Sequence, residues 1–252
     1  MSDFAGVSGE HVLGAGEARV SADERERGFF AGIALVIAAT VVAGFGTWAL
    51  RGKVMFPAPP LVHLHAVIYM SWVAIFVAQT TLIRQGSARA HRRLGWIAVL
   101  VAAMMCVLGP LTAIEAVATH RVPPFFPNNI FLAMNFLNIA CFAPLFMAAI
   151  ILRRSTGWHR RLMLGAMLAV IGPGVARITV SLGLGHWAGL AGMAIVLIYA
   201  AAGMLCDLRL RRRIHPAYYV TALAVLVEGI GPGPLGMTQV FIDMAKALAA
   251  AA

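Results

Sequence analysis

The chain has 252 residues, of which 61% are hydrophobic and only 12% charged, and its mean hydropathy is +0.84. So little polar material cannot cover a water-soluble globule of this size. A formal net charge of +10 suggests nucleic acid in a soluble protein, but here the arginines crowd into every second gap between long apolar stretches. Membrane orientation accounts for them, and no nucleic-acid partner is expected.

Residues 1–28 carry Asp3, Glu10, Glu17, Asp23, Glu24 and Glu26 without an early apolar run, so they read as a polar, mobile N-terminal arm and not as a cleaved secretory signal. The remainder, 29–252, reads as one membrane domain. A transmembrane helix needs roughly 20 mainly apolar residues, and such stretches fall at about 29–50, 61–83, 94–117, 130–152, 162–184, 189–208 and 217–240. The expected fold is therefore all-α and polytopic, with seven transmembrane helices, because lipid offers the backbone no hydrogen-bond partners and barrel-like alternation is absent.

Arg84, Arg89, Arg92 and Arg93 share one gap, Arg153, Arg154, Arg160 and Arg161 a second, and Arg209, Arg211, Arg212 and Arg213 a third. The positive-inside rule places these loops in the cytoplasm, the N-terminus inside and the C-terminus in the periplasm of a bacterial inner membrane. No gap is long enough for a soluble catalytic domain. Cys106, Cys141 and Cys206 fall within spans without CxxC spacing and read as small apolar fillers.

The basic loops end alike. His91-Arg92-Arg93-Leu94 opens the third span, His159-Arg160-Arg161-Leu162 the fifth, and Ile214-His215-Pro216 the seventh. Each of these spans then meets a glycine–proline pair: Gly109-Pro110, Gly172-Pro173-Gly174, and Gly231-Pro232-Gly233-Pro234. Proline removes a backbone donor and clashes with the preceding turn, so a break is expected at each. Three diverged helical hairpins plus one extra helix are the economical reading. Residues 235–250 form either the end of the last span or a separate half-helix at the interface. His91, His159 and His215 share a depth at the basic rim, but their arginine neighbours disfavour a metal cation there and suit headgroup anchoring better.

Polar side chains inside a span cost a few kcal/mol unless they find a partner or water. In the second span His65, Tyr69, Trp72, Phe76 and Gln79 recur at spacings of four and three and so share one helical face. His63 stands about 200° from His65 and faces elsewhere. Counting depth by the helical rise puts His65, Glu115, Asn135, Asn138 and Arg177 in the outer half of the membrane. They are expected to meet in one pocket, with Glu115 as counter-charge to Arg177. The plainer alternative is interhelical hydrogen-bond glue. Glu228, at mid-depth, reads as a proton carrier or as a hydrogen-bonded helix residue. His120 and His186 read as solvated loop residues.

These residues resemble a family of small bacterial multi-helix membrane proteins whose members carry an early helix histidine, a tryptophan and glutamine followed by HRRLG, a later HRRLM and an arginine, and a closing YD…G…HPA. The matching positions here are His65, Trp72, Gln79, His91 to Gly95, His159 to Met163, Arg177, Tyr199, Asp207 and His215-Pro216-Ala217. The chain departs from the pattern where Cys206, not a tyrosine, precedes Asp207, and where helix four carries Asn135 and Asn138 in place of an acidic residue. The family is loosely similar to membrane proteins that assist maturation of haem–copper oxidases, and more distantly to di-haem cytochromes, a likeness of fold only.

The expectation is a redox-associated membrane protein binding haem b or a quinone in the outer-half pocket. His65 would be the haem-iron ligand or a hydrogen-bond donor, Arg177 would hold a propionate or carbonyl, and Trp72, Tyr69 and Phe76 would form the wall, with Gln79 on the same face. Two other classes stand beside it: a non-catalytic subunit or assembly factor of a membrane redox complex, and an intramembrane lipid or isoprenoid enzyme using Glu115 or Glu228 as general acid. No nucleotide loop, zinc-protease helix or serine-hydrolase elbow is present.

Overall fold

The computed structural model describes residues 6–53, 58–124 and 126–250, with side chains described from residue 22 onward. Every regular element among them is helical: α1 (Gly6–Leu50), α2 (Pro60–Arg84), α3 (Ala88–Ala118), α4 (Asn128–Ile151), α5 (Thr156–Val170), α6 (Gly172–Ser181), α7 (Ala188–Arg211), α8 (Ala217–Ile230), α9 (Pro232–Gly236) and α10 (Gln239–Ala250), with a 3-10 turn at Gly185–Trp187. Five stretches are long and apolar enough to cross a membrane: Ala22–Leu50, α2, α3, α4 and Gly185–Arg211. The pair α5 and α6 is bent by 47° and is either a sixth, broken span or a re-entrant loop. These helices mark a membrane protein.

The expected seventh span is divided. Its first part, α8, has 14 residues and stops at Ile230, before Gly231-Pro232; α9 and α10 follow as separate pieces. The C-terminal α10 lays Phe241, Met244, Ala245 and Leu248 against Ala113 and Val117 of α3 and Leu132 of α4, while Asp243 and Lys246 stay exposed. It is thus a separate amphipathic helix, the second of the two alternatives for residues 235–250.

Helix pairs α1–α2, α2–α3, α3–α4, α4–α8, α8–α7 and α7–α1 pack side by side into a ring, and α5 lies inside it against α4 and α8. Enclosure explains the composition of α5. Arg161, Leu162 and the run from Leu164 to Ala169 are all buried, so the helix has almost no lipid-facing side. Helix α6 fills the space between α1 and α7. There Gly44 of α1 meets Gly174 of α6 so closely that a β-carbon on Gly44 would lie 2.1 Å from the Gly174 carbonyl oxygen.

Proline acts differently at the three breaks. Helix α3 runs through Pro110 without ending. The Tyr69 hydroxyl donates to the Met105 carbonyl at 3.2 Å, and Gly109 leaves room for that hydroxyl, so the backbone disturbed by proline is braced from α2. At Pro173 the helix does bend. Pro173 has no N–H for the carbonyl of Ala169, four residues earlier, and the Asn138 side-chain amide of α4 donates to that oxygen instead. The helices of each expected hairpin do pack together, α2 on α3, α4 on α5 and α7 on α8, but their prolines do not produce a common break.

The N-terminal segment also departs from expectation. Helix α1 does not start at the membrane but runs unbroken from Gly6, and Glu26 is only 1% exposed. Residues 22–28 therefore belong to the bundle; Asp3 lies outside the described residues, as do the side chains of Glu10 and Glu17.

Candidate functional site

Of the polar residues expected in the outer-half pocket, His65 and Arg177 come within electrostatic reach of each other. His65 stacks on Tyr69 with ring centroids 4.1 Å apart, and its Nδ1 is buried without a hydrogen-bond partner. Trp72 is 1% exposed and packed edge-on against Phe142 and Phe146 at 5.4 and 5.5 Å. Gln79, 14 positions from His65 and so about 21 Å along α2, sits at the opposite end of the bundle.

The expected ion pair between Glu115 and Arg177 is not formed among the described residues. Arg177 donates to the Pro173 carbonyl of its own helix at 2.9 Å and lies over the rings of Phe45 and Trp48 of α1, at 4.1 and 5.1 Å. The Trp48 indole returns a hydrogen bond to the Arg177 carbonyl at 3.1 Å. Two aromatic faces thus take the place of a carboxylate. Glu115 keeps Oε2 buried and unpartnered. Asn135 bonds the Phe131 carbonyl of its own helix at 2.8 Å, and Asn138 is engaged at the α5 break. Asn138 thus bridges two helices, whereas the Asn135 bond stays within α4. Glu228 lies beside the Cys141 thiol, and its Oε1 has no partner. The three cysteines are free, and His120 and His186 are exposed.

The opening that the fold does build lies at the arginine-bearing end. A cavity of about 1440 Å³ is bounded by α1, α2, α3, α4 and α5, and by the turn from α7 to α8. Of the residues expected around a ligand, Phe76 and Gln79 line it. Its depths are apolar, with Phe30, Phe76, Ala98 and Phe146; Gln79, Thr80, His91 and His159 stand nearer the opening, and arginines line the mouth. The order follows from the helices: the arginines stand at the end of α2 and the start of α3, and the mainly apolar stretches lie farther in.

One wall of the cavity is a buried ion network that links α1, α5 and α7. Arg161, 2% exposed, grips both oxygens of Asp207, with Nε donating to Oδ2 at 2.9 Å, and its Nη2 also donates to Glu26 Oε1 at 2.7 Å. Glu26 Oε2 accepts from Arg211 Nε at 2.9 Å and pairs with Arg160 at 3.2 Å, while Arg211 reaches on to Asp23 at 2.5 Å. Asp207 Oδ2 accepts the His215 backbone N–H at 3.0 Å, fixing the turn into α8. Three guanidiniums meet three carboxylates, so the network is balanced within itself. That balance leaves Arg27, Arg92, Arg153, Arg154 and Arg213 around the cavity without a carboxylate partner among the described residues.

The rim histidines are held separately. His159 Nδ1 donates to the Ala149 carbonyl at 2.8 Å; His91 stands edge-to-face with it at 6.2 Å; His215 packs edge-on against Trp158 at 4.7 Å. No group of three metal-ligating side chains occurs among the described residues. Burial, reinforced by the Arg161 charge, holds the His215 imidazole below its usual pKa.

Glu26 and Arg161 are the residues that sequence reasoning missed. A signal was present: Glu26 continues upstream the stripe of Phe30, Ile33, Ile37, Val41 and Gly44, at spacings of four and three on one face of α1. No protein-family model, no curated protein and no solved structure matches the chain.

Proposed function

We propose that this protein crosses a bacterial inner membrane seven times, with its arginine-bearing end in the cytoplasm, and binds an acidic amphiphile in the cavity at that end. Residues Ala217–Gly236, α8 with α9, cover 20 positions and about 30 Å, enough for a seventh crossing in two pieces.

The carrying observation is Arg160 Nε, a buried donor without an acceptor, on the wall of a cavity already surplus in arginine. An unmade bond to a charged donor is costly, and an acid group from outside the chain would satisfy it. The first turn of α5, which contains no acidic residue and no side-chain cap, lines the same cavity at Thr156, Gly157 and Trp158, and its helix dipole adds to the preference for anions. The aromatic depths suit an apolar body. Native mass spectrometry of detergent-purified protein with oleoyl phosphate, oleic acid and the neutral oleyl alcohol tests this: the two acids should bind and the alcohol should not. Equal binding of all three would overturn it.

A redox ligand is the second reading, favoured by the His91 and His159 imidazoles that stand 6.2 Å apart at the cavity. A quinone head would accept hydrogen bonds there, and a haem would set its propionates among the arginines. Neither ligand is assigned to His65, which is covered by Tyr69 and lies far from this cavity. An absorbance spectrum of gently purified protein separates the two, since haem gives a Soret band and quinone does not. A colourless protein from which no quinone can be extracted would remove the redox reading.

A further inference from the structure

We infer that the cavity recognises a second feature of its ligand, a hydroxyl or amide N–H close to the acidic head, and that Gln79 is the residue that reads it. This rests on the acidic-amphiphile reading. Gln79 lies near the end of α2, between the apolar depths and the arginine mouth, and is 9% exposed. Its Oε1 is buried and accepts no hydrogen bond from the chain. A side-chain carbonyl can only accept, so a matching group must donate. Buried polar atoms are almost always partnered, and one carried by a residue that lines a cavity is most simply completed by what fills the cavity.

The surroundings narrow the donor. His91 Nδ1 is a second buried polar atom without a partner in the same cavity, and an imidazole nitrogen can accept from, or donate to, the oxygen of a hydroxyl. Thr80, the neighbouring polar residue, spends its hydroxyl on the Phe76 and Val77 carbonyls of its own helix and so offers no hydrogen to Gln79. Helix α3 comes close at Gly95, where a β-carbon would lie 3.8 Å from Gln79 Nε2. The arrangement, acid-binding arginines at the mouth and a buried acceptor just below them, fits a single-chain lipid whose backbone hydroxyl adjoins its phosphate. A plain fatty acid or isoprenoid phosphate carries no such donor and would leave Gln79 unpaired.

The test compares two probes, 1-oleoyl lysophosphatidic acid and its 2-deoxy analogue, which differ only in the hydroxyl. Binding is measured by native mass spectrometry and by thermal shift on the full-length protein in detergent. The hydroxyl probe should bind about tenfold tighter, the size expected when a buried acceptor gains or loses its partner. In Gln79→Met, which keeps the length of the side chain, the ratio should fall to near one; in Gln79→Glu, which keeps an acceptor, a preference for the hydroxyl should persist. Circular dichroism and the melting temperature of the unliganded variants establish that both fold. Equal binding of the two probes by the unaltered protein would overturn this inference and leave the acidic-amphiphile reading standing. If neither probe binds while oleyl alcohol does, both readings fall.

Discussion

Arg161 on α5 and Asp207 on α7 form a two-point pair, guanidinium to carboxylate, at a depth where both are 2% exposed. The pair draws in Glu26 from α1 and the His215 backbone from the next turn, so one arginine joins four separate segments of the chain. Removing one member of such a network leaves a buried charge uncompensated, at a cost of about 3–5 kcal/mol. Asp207→Asn and Glu26→Gln should each lower the midpoint of thermal unfolding in detergent sharply. The triple change Glu26→Gln, Arg161→Met, Asp207→Asn should recover part of the loss, because no unpaired charge from this trio remains. Additive losses in the triple variant would contradict a coupled network.

Asn138 makes a more local prediction. Its amide serves the Ala169 carbonyl that Pro173 cannot serve, so Asn138→Leu should cost about 1 kcal/mol. Pro173→Ala restores a backbone donor to Ala169 and should make Asn138→Leu nearly neutral in that background. A double-mutant cycle by denaturant unfolding measures the coupling; an undiminished cost of Asn138→Leu beside Pro173→Ala would show that Asn138 acts elsewhere.

Gly44 tests the close approach of α1 and α6. Its β-carbon would collide with backbone at Gly174, which cannot swing away as a side chain does. Gly44→Ala should destabilise by about 1–3 kcal/mol, whereas Gly46→Ala, with open space around it, should be neutral or slightly favourable. Melting temperatures of the two variants give the comparison directly.

His215 makes stability depend on pH. Because the folded protein holds its imidazole below the usual pKa of about 6.5, the unfolded chain binds the proton more readily. The contribution is fully present above pH 6.5 or so and is lost as pH falls from there toward the depressed folded value. The melting temperature of His215→Gln should therefore decline less between pH 7.5 and 5.5 than that of the unaltered protein. Parallel declines would mean that other groups set the slope.

How far the sequence spoke can be seen at particular residues. Hydrophobic length located the spanning helices because burial in lipid constrains every residue of a span; the same logic placed the arginines at one end. The Gly231-Pro232 pair marked the break after α8, but the sequence could not tell that Pro110 is carried through a continuous helix while Pro173 is not, a difference that lies in neighbours such as Tyr69 and Asn138 that belong to other helices. The stripe from His65 to Gln79 was a true helical face, yet a face 14 steps long extends about 21 Å and need not open into one pocket. Arg177 appeared to require a carboxylate, and composition gives no hint that Phe45 and Trp48 would serve. Glu26 was hidden for the opposite reason: acidic neighbours masked its place on the buried stripe of α1.

The central claim is that the cavity at the arginine-bearing end holds an acidic amphiphile. An experimental density map of the protein purified in mild detergent tests it most directly. The account predicts elongated density with its head against Arg160 and the mouth arginines and its body between Phe76 and Phe146. A cavity filled only by water, or by density whose polar end points away from those arginines, would contradict it.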